Sequence, residues 1–328
     1  MKYIEMTSTN PYENLATEEY VFSQMDKNES YFMLWQNNNA IIIGKHQNTV
    51  EEINQAFVDA HGITVARRLT GGGAVYHDTG NLNFTFIVNQ DVAEDFNFHV
   101  FVAPVLQVLH DLGIPAKFTG RNDLTIDGMK FSGNSRYARG GRLLAHGCIM
   151  LDANVDYLSQ ALTVKKAKCE SRGIKSVHSR VTYINEHLKN PITMVQFKNL
   201  LTQAVFAGND IEQYTFTPPD KAAIQTLRNE KYATWEWNYG QSPTYNLKRE
   251  KKFPAGLVTI YLQVEKGRIE EATLYGDFFG SANLHELEDK LKGLPLDDHL
   301  YEALEQIGID SYMNGITAKD IADLIIYE

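Results

Sequence analysis

The sequence has 328 residues, an ordinary globular composition and a formal net charge of −10 at pH 7. This length exceeds the roughly 250 residues at which single cores usually stop growing, so we expect one large domain and a smaller one. The negative charge argues against a general nucleic-acid binder, because such proteins neutralise phosphates with clustered Lys and Arg.

The sequence also bears on the compartment. No segment is long and apolar enough to predict a membrane span, and MKYIEMTSTNPYENL lacks the basic start and apolar stretch of a signal peptide. Two cysteines, Cys148 and Cys169, provide neither a disulfide framework nor metal-ligand spacing, which suits a reducing compartment. We therefore expect a cytoplasmic protein with no nucleic-acid and no membrane partner.

The N-terminal part predicts helices between short strands. Asn10-Pro11 combines an N-cap residue with a proline at the first helical position, which predicts a helix to about Met25. The runs FMLWQ, AIIIGKH and ITVARRL are short and rich in β-branched or aromatic residues, as is typical of strands. Between the second and third runs, TVEEINQAFVDAHG predicts a helix that ends at Gly62.

The middle of the chain predicts a sheet with helices packed on it. LNFTFIV is typical of a strand, and apolar residues recur at helical spacing from Phe98 to Leu112. The turn signals Asp127-Gly128 and Gly140-Gly141 predict three antiparallel strands. We expect an α+β domain built on a mixed sheet, with further helices near Tyr157 to Thr163, Thr193 to Ala207 and Pro219 to Asn229.

The C-terminal part has a different pattern. GLVTIYLQVEKGRIEEATLYGDFF predicts a hairpin, and the remaining residues predict two or three short amphipathic helices. We therefore predict a catalytic domain over residues 1–245 and a small α+β accessory domain over residues 246–328.

Two local features could carry chemistry. The run RRLTGGGAVYHD leads a strand into three glycines, which let backbone N–H groups approach an anion, although a flexible hairpin explains them about as well. Lys130 follows a tight turn in GMKFSGNSRY, from where it could stabilise charge in a cleft. The basic stretch from Lys165 to Arg180 indicates either an anion site or a solvated loop.

The order of the motifs identifies a family. The blocks RRLTGGGAVYHDTGNLNFTF, GRNDLTIDGMKFSGNSRY, HGCIML and RGIKSVHSRVTYI follow one another as in the lipoate-protein ligases, which this sequence resembles. The resemblance implies the biotin and lipoate ligase fold, with ATP and Mg²⁺ as cofactors and lipoic acid as substrate. It also implies two steps, in which lipoate first forms lipoyl-AMP and the lipoyl group then passes to an acceptor lysine.

The resemblance also assigns site residues. It implies a catalytic role for Lys130, which would bring the lipoate carboxylate and the triphosphate together. The ATP and adenylate site would use Arg68, Gly73, Ala74, Val75, Tyr76, Lys130, Arg172, Lys175, Ser176 and Arg180. The lipoate site would use Gly71, Gly72, His77, Lys130, His146 and Gly147. Asp123 is the candidate Mg²⁺ ligand.

The implied acceptors are lipoyl domains of oxo-acid dehydrogenase E2 subunits, the glycine cleavage H protein, or both. The sequence does not choose between these acceptors, between lipoate and octanoate, or between oligomeric states. It departs from the family at Cys148, where a small hydroxyl residue is common, and at His178, where arginine is common.

Three alternatives remain beside the ligase. An octanoyl or lipoyl transferase of the same fold would need a cysteine shortly before Lys130, where this chain has FTGRND. A biotin-protein ligase would have a basic GRGR-like turn, which this sequence lacks. A binding protein without turnover would keep the pocket but release no pyrophosphate from ATP and lipoate.

Overall fold

The computed structural model describes residues 1–89, 98–119, 122–162, 180–240, 245–265, 267–297 and 299–327. Within these ranges it confirms the predicted α+β class, with helices flanking mixed and antiparallel sheets. The strands are β1 (Lys2–Glu5), β2 (Tyr31–Trp35), β3 (Ala40–Ile43), β4 (Thr64–Arg67), β5 (Val75–His77), β6 (Asn81–Asn89), β7 (Lys117–Thr119), β8 (Asp123–Ile126), β9 (Met129–Arg139), β10 (Arg142–Met150), β11 (Leu247–Phe253), β12 (Gly256–Glu265) and β13 (Arg268–Gly276).

The described helices range from one turn to four. They are α1 (Pro11–Ser23), α2 (Thr49–Glu52), α3 (Gln55–Ala60), α4 (Phe98–Asp111), α5 (Val155–Ala161), α6 (Met194–Phe206), α7 (Pro218–Leu227), α8 (Trp235–Asn238), α9 (Leu284–Leu291), α10 (Leu300–Ile307) and α11 (Ala318–Tyr327). In the described ranges, no helix is both long and apolar enough to cross a bilayer.

The largest sheet has seven strands in the order β1-β2-β6-β10-β9-β8-β7. Its first pair is parallel and the other pairs are antiparallel, so the sheet is mixed as predicted. The β8–β9–β10 meander turns where the sequence indicated, with Asp127, Gly128, Gly140 and Gly141 at positive φ. Apolar side chains of α4 and α6 cover one face of this sheet.

A small sheet of order β4-β3-β5 lies over the other face, together with α1. Helix α1 begins as predicted: the Asn10 side chain accepts hydrogen bonds from two first-turn N–H groups, and Pro11 occupies the first position. Two layers therefore face each other, with Leu15 of α1 and Ile42 of β3 packed in the core between them.

One predicted element was wrong in detail and another was incomplete. The helix expected up to Gly62 is interrupted, because Ile53 forms a β-bridge with Leu162 and Asn54 caps a new helix at Gln55. The predicted C-terminal hairpin is present as β12 and β13, and Leu247–Phe253 adds a third antiparallel strand that the sequence did not indicate.

The C-terminal sheet and α9–α11 share one apolar core. This unit contacts the N-terminal part at several points. The Phe278 ring stacks on His46 with 5.3 Å between ring centroids, and the Gly276 N–H donates to the His46 carbonyl. Lys248 Nζ lies 3.0 Å from Glu51 Oε1, which also accepts a hydrogen bond from the Tyr261 hydroxyl.

Candidate active site

A cleft lies between the large sheet, the small sheet and α1. It encloses about 650 Å³ of space, including solvent at its mouth. Its walls are formed by Leu15, Trp35, Ile42, Arg68, Gly72, Gly73, Ala74, Val75, His77, Asn83, Asn122, Lys130, Gly133, Asn134, Ser135, His146, Gly147 and Cys148. Most of the lining is apolar or backbone, so the cleft suits a ligand with a long apolar part and a few polar groups.

Four residues in register form a row across the floor of the cleft. Gly133 of β9 pairs with Cys148 of β10, Cys148 with Asn83 of β6, and Asn83 with Trp35 of β2. We call these four residues the floor row. Because neighbouring strands are about 4.8 Å apart, the floor row is roughly 14 Å long.

Lys130 lies at the Gly133 end of the floor row. A Cβ added to Gly133 would lie 2.9 Å from Lys130 Nζ, so the ammonium occupies the space above this glycine. Its Nζ is 2.7 Å from Asp123 Oδ1 on the adjacent strand. The Lys130 N–H donates to the Arg180 carbonyl at 2.8 Å, and the Thr182 N–H donates to the Lys130 carbonyl at 2.9 Å. Lys130 is thus held by its backbone while its side chain reaches the cleft.

Residues 71–74, which we call the glycine loop, are held from behind by Arg68. The buried Arg68 guanidinium donates to the carbonyls of Gly71 and Gly73 at 2.8 and 2.9 Å, and to the Ile42 carbonyl at 3.0 Å. Burial lowers the pKa of Arg68 to about 10, so it stays charged at neutral pH. Ser135 Oγ also donates to the Gly71 carbonyl, at 2.9 Å.

The N–H groups of the glycine loop remain available to bind a ligand. In the described structure, none of the N–H groups of the glycine loop donates to a backbone carbonyl. Gly72 has φ +94°, a conformation that glycine adopts without strain. With its carbonyls directed to Arg68 and Ser135, the loop can offer N–H groups to an anion in the cleft.

A buried hydrogen-bond network lies below the cleft. His146 Nδ1 donates to Glu18 Oε1 at 2.8 Å, and its Nε2 is 2.9 Å from Thr70 Oγ1. Thr85 Oγ1 donates to the same Glu18 oxygen at 2.6 Å and accepts from Trp35 Nε1 at 3.0 Å. Both ring nitrogens of His146 are therefore engaged, and the Trp35 indole is fixed at the end of the cleft.

His77 has a defined tautomer. Asn14 Nδ2 donates to Asn37 Oδ1 at 2.9 Å, which turns the Asn37 Nδ2 toward His77 Nδ1 at 3.2 Å. Nδ1 is therefore the acceptor and Nε2 carries the hydrogen. Burial, together with the charge of Arg68, lowers the pKa of His77 to about 3, so the ring is neutral at physiological pH.

The structure brings most of the predicted site residues to this one cleft. Those that line it are Arg68, Gly72, Gly73, Ala74, Val75, His77, Lys130, His146 and Gly147. Gly71 belongs to the same loop, whereas the Tyr76 side chain points to the opposite side, where its hydroxyl donates to Asn39 at 3.0 Å. Arg172, Lys175 and Ser176 lie outside the described residues, as does Cys169.

Two family models match this chain. Residues 10–206 match the model of the lipoyl protein ligase A/B catalytic domain, and residues 242–325 match that of the bacterial lipoate protein ligase C-terminus. The chain belongs to the lipoate-protein ligase family. Its relatives include lipoate-protein ligase 1 of Staphylococcus aureus, which is 44% identical over 99% of this chain and 100% of its own length.

Solved structures of lipoate-protein ligase relatives share the fold. P. falciparum LipL1, crystallised in complex with lipoate, superposes with a TM-score of 0.80 at 26% identity, over 100% of this chain and 99% of its own. A bipartite lipoate protein ligase of Thermoplasma acidophilum, from a study that includes its E2 lipoyl domain, has a TM-score of 0.64 at 26% identity. That match covers 75% of this chain and 98% of the other.

Sequence reasoning missed the far end of the cleft in this lipoate-protein ligase family member. Trp35, Asn83 and Leu15 line that end, and Glu18 supports it from below. One signal was available: in NLNFTF, the polar residues Asn81, Asn83 and Thr85 alternate with apolar ones. On a strand covered on both faces, such alternation indicates a polar lining on one face.

Proposed function

We propose that this chain is an ATP-dependent lipoate-protein ligase, which converts lipoate to lipoyl-AMP and transfers the lipoyl group to a lysine of an acceptor protein. The observation that carries the proposal is the position of Lys130 Nζ at one end of a cleft that Trp35 closes at the other. The Lys130 end suits two anions, and the remainder suits an apolar tail.

In the first step, the carboxylate of lipoate attacks the α-phosphate of ATP, and pyrophosphate leaves. Both reactants are anionic, so they repel each other unless a fixed cation lies between them. We assign this task to Lys130, which in the free protein is paired with Asp123 at 2.7 Å. The N–H groups of the glycine loop would hold phosphate oxygens, with Arg68 fixing the loop rather than reaching the nucleotide.

A magnesium ion would accompany ATP and neutralise part of its charge. Within the described residues, no cluster of three His, Cys, Asp or Glu side chains could hold a metal without help. This fits Mg²⁺, which is usually held by one or two carboxylates together with substrate phosphates and water. We propose Asp123, beside Lys130, as the carboxylate on the protein.

In the second step, the ε-amine of an acceptor lysine attacks the acyl carbon of lipoyl-AMP, and AMP leaves with the bonding electron pair. Lys130 would again offset the charge that develops on the phosphate. We propose lipoyl domains or the glycine cleavage H protein as acceptors, in line with the lipoylation system described for the Thermoplasma relative. We also propose a cytoplasmic location, where ATP is available.

The geometry provides no histidine base for a cysteine transferase. Cys148 is a free thiol in the floor row, and a nucleophilic cysteine is commonly activated by a histidine that accepts its proton. Both nitrogens of His146 are engaged, and the remaining nitrogen of His77, Nε2, carries a hydrogen and is buried. Neither histidine of the cleft can therefore activate Cys148 in this arrangement.

We further propose that residues 1–245 form the catalytic domain and residues 246–328 the accessory domain. The support is that the two parts of the described chain have separate apolar cores. The apolar cluster of β11–β13 and α9–α11 contains residues from Leu247 onward only. The clusters around the cleft contain residues up to Tyr239.

The test is to incubate the protein with ATP, Mg²⁺, lipoate and a purified lipoyl domain, and to measure the mass of the domain. We expect a gain of one lipoyl group that requires ATP and is lost when the acceptor lysine is replaced by arginine. A gain from an acylated carrier protein without ATP would instead support a transferase.

A further inference from the structure

The segment from Gly44 to Gln47, which we call the bracing segment, lies directly against the glycine loop. Its Lys45 N–H donates to the Thr70 carbonyl at 2.8 Å, just before the loop begins. A Cβ added to Gly44 would lie only 1.9 Å from the Gly72 carbonyl oxygen. No side chain fits in that space, so the contact between the two backbones requires glycine at position 44.

This contact fixes the direction of one peptide group in the glycine loop. The peptide bond between Gly72 and Gly73 is trans, so the Gly72 carbonyl and the Gly73 N–H point in opposite directions. The carbonyl oxygen lies against Gly44, and the N–H therefore points away from Gly44. Gly73 lines the cleft, whereas Gly44 does not. The position of Gly44 thus determines the direction of the Gly73 N–H.

Arg67 holds the bracing segment in place. Its guanidinium donates to the carbonyls of Gly44, Lys45 and Gln47 at 2.9, 3.2 and 2.7 Å. Its other donors bind Thr49 Oγ1 and two carbonyls of α8, so all three guanidinium nitrogens are engaged. Gln47 adds a contact inside the segment, because its Oε1 accepts from the Gly44 N–H at 2.8 Å.

Arg67 and Arg68 therefore have parallel tasks on two adjoining segments. Arg68 donates to carbonyls of the glycine loop, and Arg67 donates to carbonyls of the bracing segment. The two segments meet where Gly44 touches Gly72. Both guanidinium groups bind the protein backbone, so they set the geometry of the loop rather than supply charge to a ligand.

We infer that Gly44 and Gln47, anchored by Arg67, are positioning residues for ATP, because they hold the Gly73 N–H in the direction that meets a phosphate oxygen. The inference rests on the proposed function, in which N–H groups of the glycine loop hold the phosphates. None of the three residues lines the cleft, so they act through the loop. A donor that is already aligned needs no rearrangement when the phosphate arrives.

The variant Gly44→Ala tests this inference, because its new methyl group and the Gly72 carbonyl cannot occupy the same space. Pyrophosphate release is measured against ATP at saturating lipoate, and against lipoate at saturating ATP. We expect KM for ATP to rise at least about tenfold and KM for lipoate to change less than about twofold, since the rest of the cleft holds the apolar tail. An equal rise in both KM values would overturn the inference. Absence of pyrophosphate with the unmodified protein would contradict the proposed function instead.

Gly80→Ala is the matched control. A Cβ added to Gly80 would lie 2.0 Å from the Asp152 carbonyl oxygen, nearly as close as in Gly44→Ala, and Gly80 is outside the cleft lining. Both variants should lower the melting temperature to a similar extent, but only Gly44→Ala should raise KM for ATP. The same KM for ATP in the two folded variants would mean that Gly44 has a structural role only.

Gln47→Met is a milder variant in case Gly44→Ala does not fold. It removes the acceptor of the Gly44 N–H and keeps the length of the side chain, so KM for ATP should rise about threefold. An unchanged value would overturn the inference for Gln47. If neither variant folds, amide hydrogen exchange of the unmodified protein decides. ATP should protect the bracing segment together with the glycine loop, and protection of the loop alone would overturn the inference.

Discussion

Lys130 Nζ lies 2.7 Å from Asp123 Oδ1, and the same ammonium occupies the space above Gly133. The Lys130 ammonium is therefore held in place before any substrate binds. When lipoate and ATP enter, the Lys130 ammonium can leave the Asp123 carboxylate and contact the carboxylate and phosphate groups of the substrates with little movement. Such preorganisation lowers the cost of bringing two anions together.

Replacement of Lys130 by alanine should abolish most adenylation while the fold is kept. The side chain is 38% exposed and belongs to no apolar cluster, so its loss removes a charge rather than core packing. We expect kcat for pyrophosphate release to fall at least about a hundredfold. Lys117→Ala, at an exposed lysine of β7, is the control. Near-normal release by a folded Lys130→Ala protein would remove Lys130 from the mechanism.

Addition of one methyl group at Gly133 should displace the Lys130 ammonium. The new Cβ would lie 2.9 Å from Nζ and 3.0 Å from Cε, and a flexible side chain can move away at little cost in stability. Gly133→Ala should therefore reduce adenylation strongly and the melting temperature only slightly. An unchanged rate of adenylation would contradict this role of the Lys130 ammonium. A loss of activity in proportion to the fall in melting temperature would indicate a general loss of stability instead.

Neither cysteine should be needed for turnover. Cys148 has no histidine lone pair within the cleft to activate it, and Cys169 lies outside the described residues. A Cys148→Ala, Cys169→Ala double variant should still lipoylate an acceptor when ATP is present. Loss of transfer with intact adenylation would indicate a covalent thioester intermediate.

Two buried histidines should make the protein sensitive to acid. Burial lowers the pKa of both His46 and His77 to about 3, against 6.5 for an unfolded histidine. The unfolded chain therefore binds more protons, and the stability due to neutral His46 and His77 is complete above about pH 6.5 and declines as the pH falls toward 3. At pH 5 each would cost about 2 kcal/mol relative to neutral pH.

Urea unfolding at pH 7 and pH 5 measures this loss. The variant His77→Gln cannot titrate, so the difference in unfolding free energy between the two pH values should be smaller by about 2 kcal/mol than in the unmodified protein. An unchanged difference would mean that His77 is not held neutral in the folded state.

The C-terminal unit should matter more for adenylation than for transfer. A Cβ added to Gly71 would lie 2.6 Å from the Phe278 carbonyl oxygen, so this unit touches the glycine loop itself. A chain ending near Tyr245 should adenylate lipoate slowly, yet use pre-formed lipoyl-adenylate at nearly the full rate. Full-rate adenylation by a folded truncation would exclude the closure role, and a selective loss of transfer would place the unit at the acceptor interface.

Local signals in the sequence predicted much of the fold. The Asn10 cap and the turns at Asp127 and Gly140 depend on neighbouring residues only, and the structure has all three. The break at Ile53 depends instead on Leu162, which is remote in sequence. Strand β11 was missed because LKREKKF is a charged edge strand, whose side chains carry little of the usual strand pattern.

The sequence named the cleft residues that belong to its motifs, and it missed those that packing brings to the cleft. Lys130 and the glycine loop belong to sequence motifs that can be read without the structure. Asn83 lines the cleft because β6 pairs with β10 and β2 in a register that no local sequence pattern reveals. Arg68 was predicted as a nucleotide contact, and only the structure places its guanidinium on the loop carbonyls.

The oxygen atoms of the lipoate carboxylate report directly whether an adenylate forms. Lipoate labelled with ¹⁸O in both carboxylate positions is incubated with the protein, ATP, Mg²⁺ and a lipoyl domain, and the products are examined by mass spectrometry. Attack of the carboxylate on the α-phosphate predicts one ¹⁸O atom in AMP and one in the acyl group on the acceptor. AMP without the label, beside a lipoylated acceptor, would contradict the adenylate route.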